Sequence, residues 1–279
     1  MKAFLWFLIS LWPTLMFAQG GFKTLAAVPK SFSFELINNV VIVPVHINGH
    51  LFHFLLDTGV KETILFVSST DSIALKNQEP ITFYGMGTDQ GVSAVLSRNN
   101  HVVVADALQD SLHNLYVFKG EDLAISNEVG FPVNGILGSR FFTDHAIHMD
   151  YVKKKITVFP KGFALEERFS KYKQLPLTII ADRPYIHTGV TLFGELKELK
   201  LLIDMGNSDP LMLFAFLMDS LTIRPPFVEE YIGRGFNGAV YGKRNRIKGF
   251  EFGGEQIRFP IVSYPDSNSV YHTKLVKGR

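Results

Sequence analysis

The chain has 279 residues, with 28 Lys and Arg against 26 Asp and Glu, so its formal charge is only +2. A balance this even gives no reason to expect a nucleic acid or an anionic membrane surface as partner. Cysteine is absent, which excludes disulfides, a thiol nucleophile, Cys-ligated zinc and a lipidated cysteine, and leaves core packing to hold the fold.

The chain opens with Met1-Lys2, an apolar stretch over residues 4–15 and the small-residue zone Phe17-Ala18-Gln19. That order predicts a signal peptide over residues 1–19, and hence an exported protein, periplasmic or secreted. The stretch contains Pro13 and is shorter than the about 20 residues of a membrane-spanning helix, so no membrane insertion is expected after signal removal. Beyond it, Val, Ile, Thr and a generous supply of Phe alternate with polar residues, which suits strands.

Residues 41–47 followed by Asn48-Gly49 read as a strand entering a tight hairpin turn. The returning apolar run, 52–56, ends in Asp57-Thr58-Gly59, and a further apolar stretch follows over 63–67. Such a motif puts a carboxylate on a turn where a strand leaves the core. The glycine lets the backbone approach a partner closely or take positive φ. Taken alone, the motif is an ordinary turn. Gly85, Gly87 and Gly91 are too widely spaced for a dinucleotide-binding loop and read as a β-loop. His46, His50 and His53 cluster at the Asn48-Gly49 turn, and His145 and His148 lie close together. None of these matches a metal-ligand spacing, so they read as turn and strand-edge histidines, with neither metal nor cofactor expected. No Gly-x-Ser-x-Gly occurs to anchor serine-hydrolase chemistry.

Further on stand Gly135-Ile136-Leu137-Gly138, Phe141-Phe142 and His148-Met149-Asp150-Tyr151, then a strand-like run over 156–159. Residues 160–173, with Gly162 and Glu166-Glu167-Arg168, read as an exposed linker with a short helix. Lys153-Lys154-Lys155 and Lys243-Arg244-Asn245-Arg246 read as solvated hairpin turns. After the linker the first pattern returns. Residues 185–193 and Gly194-Glu195 read as a hairpin feeding Leu202-Ile203-Asp204-Met205-Gly206, and an apolar stretch follows over 211–217.

Asp204 lies 147 positions after Asp57. Glycines follow Asp57 at offsets 28, 30 and 34, and Asp204 at offsets 29, 31 and 34. Matched motifs at one period form an internal repeat. Two related β-rich halves, each presenting one Asp on a glycine turn, describe a two-lobed molecule with paired carboxylates at its junction.

On these residues the chain resembles the pepsin/retropepsin-like aspartic proteases, in particular the exported two-lobed bacterial aspartyl proteases. The resemblance is carried by Phe54-Leu55-Leu56-Asp57-Thr58-Gly59, Gly135-Ile136-Leu137-Gly138 with Phe141-Phe142, and the segment from His148-Met149-Asp150-Tyr151 to Phe159. It implies an all-β fold of two acid-protease-like β-barrels related by a pseudo-two-fold. The first lobe would span 36–160 and the second, incomplete, 172–279. It implies Asp57 and Asp204 as the catalytic pair, with Thr58, Gly59 and Gly206 as its support. A peptide or protein substrate would lie extended between the lobes. A hairpin flap would cover it, for which residues 81–93 are the candidate, with Tyr84 as a lid side chain. Asp150 would belong to the hairpin that closes the first lobe.

Two departures accompany the resemblance. Met205 stands where the family carries a hydroxyl residue that bonds across the lobe interface, and a thioether donates nothing. Met205 is therefore expected to loosen the second Asp loop by about 1 kcal/mol, and Met205→Thr to raise stability or activity. The counterpart of Gly135-Ile136-Leu137-Gly138 would fall at 282–285, past Arg279, so that the second lobe reads as either shortened or degenerate. The implied activity is peptide hydrolysis by a water activated between two aspartates. The alternative is a weakly active or inactive peptide-binding protein of the same fold. Self-association through the first lobe, which carries its own Asp-Thr-Gly, is a third reading.

Overall fold

The computed structural model describes residues 20–68, 73–83, 91–120, 125–218, 221–235 and 238–270. Residues 1–19 and Tyr84 lie outside the described residues. The fold is all-β, with four sheets and two short helices, in keeping with an acid-protease-like architecture. The strands up to Phe159 form two of the sheets and those from Thr178 onward the other two, and no ladder joins the sets among the described residues. Among the same residues no helix is long and apolar enough to cross a membrane.

The N-terminal half is built on the hairpin Val40–Ile47 and His50–Leu56. Its turn residues, Asn48 and Gly49, both have positive φ, 49° and 91°, the backbone that matches the twist of the flanking strands. Neighbouring side chains of this hairpin serve different cores. Val43, Val45, Phe54 and Leu56 point into one buried cluster, and Ile42 and Leu55 into another on the opposite face. A sheet covered on both faces has continuous apolar strands rather than alternating ones, and Thr63–Val67, buried throughout, is of that kind.

Gly135–Leu137 threads between two of these strands, parallel to His50–Leu56 and antiparallel to Thr63–Val67. A Cβ on Gly135 would stand 2.3 Å from the Ile64 carbonyl oxygen, and one on Gly138 2.4 Å from that of Glu62. Only glycine fits at either place. Thr63–Val67 also pairs in parallel with Leu108–Lys119. The candidate flap is a hairpin at its base, where Gln78–Phe83 pairs with Val92–Val104 as far as Phe83 opposite Val92. Residues 84–90 of that segment lie outside the described residues.

The C-terminal half repeats the order of elements. Arg183–Leu192 and Glu195–Leu202 form the corresponding hairpin, turned by Phe193 and Gly194, again both at positive φ, 50° and 94°. Leu211–Met212 pairs in parallel with Ile261–Pro265, as Thr63–Val67 does with Leu108–Lys119. The hairpin Val228–Gly235 and Gly238–Arg246 occupies the place of the candidate flap hairpin in the repeat. Among the described residues Glu195–Leu202 pairs only with Arg183–Leu192, and no strand lies against its other edge. The core here is smaller, centred on Val190, Leu192, Val262 and Tyr264.

The linker is largely exposed and forms a short helix, Glu166–Phe169. Phe169 packs edge-on to Phe159 at 5.6 Å, and Tyr172 meets Phe169 and His148 edge-on, which pins the connection to the three-stranded sheet. Lys243-Arg244-Asn245-Arg246 lies in the strand Gly238–Arg246 rather than at a turn. Arg244 leaves solvent there because carboxylates at positions remote in sequence converge on it. Lys153-Lys154-Lys155, by contrast, is exposed at a turn with Lys154 at φ 51°.

Candidate active site

Asp57 sits one residue beyond the end of a hairpin strand and Asp204 two, and each is held by the backbone of its own half. The Asp57 N–H donates to the Leu137 carbonyl at 3.0 Å, which ties the loop to the threaded strand. The Ile203 N–H donates to the Pro184 carbonyl at 2.9 Å and fixes the approach to Asp204. Within each loop the Asp turns back on its own glycine. The Gly59 N–H donates to Asp57 Oδ1 at 2.7 Å, and the Gly206 N–H to Asp204 Oδ1 at 3.0 Å.

The loops then meet. A Cβ on Gly59 would stand 2.9 Å from Asp204 Oδ1, and one on Gly206 2.4 Å from Asp57 Cγ. Each glycine is therefore the seat of the opposite carboxylate. Neither has the positive φ that the sequence allowed for, so close approach alone demands glycine at both. Gly206→Ala should displace the pair and lower stability by about 1–3 kcal/mol, the usual cost of overpacking, with Gly59→Ala the milder of the two. Thermal midpoints and peptide-cleavage rates of the two variants check both the size and the order.

Thr58, buried between the loops, makes a two-way bridge. Its hydroxyl donates to the Ile203 carbonyl at 2.5 Å and accepts from the Met205 N–H at 3.0 Å. Met205 returns no such bond. Its side chain instead packs against the main core of the N-terminal half, which offsets the expected loosening by burial. Further contacts across the junction are the Lys61–Asp182 ion pair at 2.6 Å and the Asn39 amide on the Ser208 carbonyl at 3.3 Å.

The two carboxyl groups lie within hydrogen-bonding reach of each other. Crowding by protein strips water from the charged forms, and this burial, followed by the Asp204 charge, holds Asp57 well above the usual carboxylate range. Burial also raises Asp204, opposed by hydrogen bonds from Asp57 and from the Gly206 and Asn207 N–H groups, and by the charge of Arg183. Asp57 is half-buried, and Asp204 keeps an open flank. The pair is thus backed by protein on one side and open to solvent on the Asp204 side. Two carboxyl groups so coupled titrate as a unit rather than singly.

Two polar networks that no local motif announces brace the loops. Beyond Asp204, the Asp209 carboxylate accepts from Arg244 at 2.9 Å and from the Ser263 hydroxyl, while Arg244 also binds Glu230 at 2.9 Å and the Ile232 carbonyl at 3.0 Å. Beyond Asp57, Thr63 meets His113 Nε2 at 2.7 Å, and His113 Nδ1 meets Asp110 at 2.8 Å, all three side chains being buried. Each network joins the segment after an Asp loop to that half's parallel partner strand.

Residues 43–141 match the family model described as aspartyl protease, a span that holds the Asp57 loop and the threaded strand and ends before Asp204. The search of curated proteins found no match. Over residues 43–141 the chain is thus similar to the aspartyl protease family.

Proposed function

We propose that the protein is an exported aspartic endopeptidase, with lobes of residues 36–160 and 172–279 and the pair Asp57 and Asp204 at their junction. The family that residues 43–141 resemble points to peptidase function and peptide substrates. The observation that carries the two-aspartate reading is the reciprocal seating of each carboxylate on the other loop's glycine. Two carboxylates so placed hold one proton between them. The ionised member takes a proton from a bound water, which attacks the scissile carbonyl. The protonated member donates to the carbonyl oxygen, and the pair then delivers a proton to the leaving nitrogen. No covalent intermediate forms. Thr58, Gly59 and Gly206 position the pair. A peptide lies extended in the groove, held by main-chain hydrogen bonds, with Tyr84 as the lid side chain of the flap hairpin.

A second reading, a peptide-binding protein with little turnover, is favoured by two features of the C-terminal half. Met205 gives no hydroxyl back across the junction, and Glu195–Leu202 has a free edge among the described residues. A catalytic group misplaced by about 1 Å can lose about 100-fold in rate. Cleavage of a peptide library from about pH 3 to about pH 8, by the protein and by Asp57→Asn, separates the readings. Cleavage lost in the variant and blocked by statine-type transition-state mimics supports the peptidase. Tight peptide binding without cleavage supports the second reading, and cleavage that survives in the variant rules out both.

A further inference from the structure

The sequence of groups Thr63, His113, Asp110 is that of a nucleophilic triad, but Thr63 is 1% exposed and no substrate reaches it. What does reach the network is the start of the described chain. Lys23–Thr24 pairs with Leu108 and Gln109, and the Gly20 N–H donates to the Leu112 carbonyl at 3.3 Å, so residues 20–25 run alongside the strand that carries Asp110 and His113. Phe22 anchors this segment, buried with its ring 5.0 Å from that of His113. Two glycines then pass between two carboxylates. A Cβ on Gly20 would stand 2.1 Å from Asp110 Oδ1, and one on Gly21 3.0 Å from Asp144 Oδ2.

We propose that removal of the leader makes Gly20 the first residue, and that its α-ammonium docks as an ion-pair partner of Asp110, closing the chain Asp110–His113–Thr63 behind the Asp57 loop. The charge of the site fits this occupant. The cavity, about 130 Å³, is lined by Gly20, Gly21 and Phe22 together with Asp110, His113, Arg140, Asp144 and Asp182. Asp110 and Asp144 both face the two glycines, while Lys61 is taken up by Asp182. Asp110 is buried, so a charge-assisted hydrogen bond there is stronger than one in solvent. Burial alone would raise Asp110, but the hydrogen bonds from His113 and the Leu112 N–H outweigh it and hold it below the usual range, ionised and ready to pair.

The test needs no substrate and so stands apart from the peptidase reading. The exported chain is recovered and its first residue determined, with Gly20 expected. Its thermal midpoint is then compared with that of the same chain carrying one extra alanine before Gly20, each with and without Asp110→Asn. An ammonium that gains carboxylate partners has its folded pKa raised. Its stabilisation is complete below the free amine's value near about pH 8 and is lost as pH rises through the folded one. The extension should therefore lower the midpoint by about 3 °C at about pH 6, and have no effect above about pH 10. Asp110→Asn should erase the difference. A different first residue, an extended chain of equal stability, or a difference that survives Asp110→Asn would overturn the proposal. If the Asp110 variant does not fold, a midpoint difference that stays constant across pH overturns it equally, since a steric effect would not titrate.

Discussion

Replacing Asp57 with Asn is expected to abolish peptide hydrolysis and, at neutral pH, to make the protein more stable. The loss of rate should be about 1,000-fold or more, because an amide can neither hold the shared proton nor take one from water. The gain in stability follows from the same pair. Burial and the facing Asp204 raise the Asp57 pKa in the folded state above its unfolded value. The folded protein then binds a proton that the unfolded chain releases, so stability is greatest in acid and falls as pH rises through the folded pKa. Above about pH 4, where the unfolded carboxyl is ionised, the native pair is therefore a burden on the fold. The amide of the Asp57→Asn variant carries no charge, and its N–H₂ group can donate to Asp204. The thermal midpoint of the variant should exceed that of the parent by about 2–5 °C at about pH 7, and the gap should close toward about pH 3. A variant equally stable or less stable at neutral pH would show that the carboxylates do not strain each other.

The readable parts of the molecule were those in which chemistry is local. Asn48-Gly49 announces its hairpin because two consecutive residues at positive φ are rarely anything else. Gly135 and Gly138 mark their strand because carbonyl oxygens of neighbouring backbone leave no room for a Cβ. The repeat of Asp57 in Asp204 was legible for the same reason, since each loop needs a carboxylate followed two positions later by a residue without a side chain. The second hairpin was found one residue late, because Phe193, not Gly194, begins its turn, and an aromatic residue at φ 50° gives no such signal.

Less legible was whatever depends on two distant positions meeting. Along Leu108–Lys119 nothing local marks the polar side chains of Asp110 and His113 for the interior, yet both are buried. Their satisfaction comes from Thr63, fifty positions from His113. Arg244 likewise reads as a surface charge in sequence, because Asp209, Glu230 and Ser263 converge on it only in the fold. The resulting network supplies support to the Asp204 loop, where the N-terminal half uses its threaded strand.

Thr58→Val should be the most damaging conservative change at the junction. Valine matches the shape of threonine but neither donates nor accepts, so the Ile203 carbonyl and the Met205 N–H lose their shared partner together. Thr58 is only 5% exposed, so water has little access to replace it. A buried polar group left unpaired costs about 1–3 kcal/mol, and here there are two, one on either side of Asp204. The expected loss is about 2–4 kcal/mol, or a midpoint lower by about 5–10 °C in a chain of this size, with Thr58→Ser recovering most of it. Met205→Thr makes the complementary case. It restores a hydroxyl on the other side of the junction but removes a thioether packed on the N-terminal core, so the two effects oppose and little net change in midpoint is expected. If Thr58→Val were as mild as Met205→Thr, the halves would be held chiefly by the Lys61–Asp182 pair and apolar contact. Asp204 would then owe its position to the Asp209–Arg244 network rather than to the bridge from Thr58.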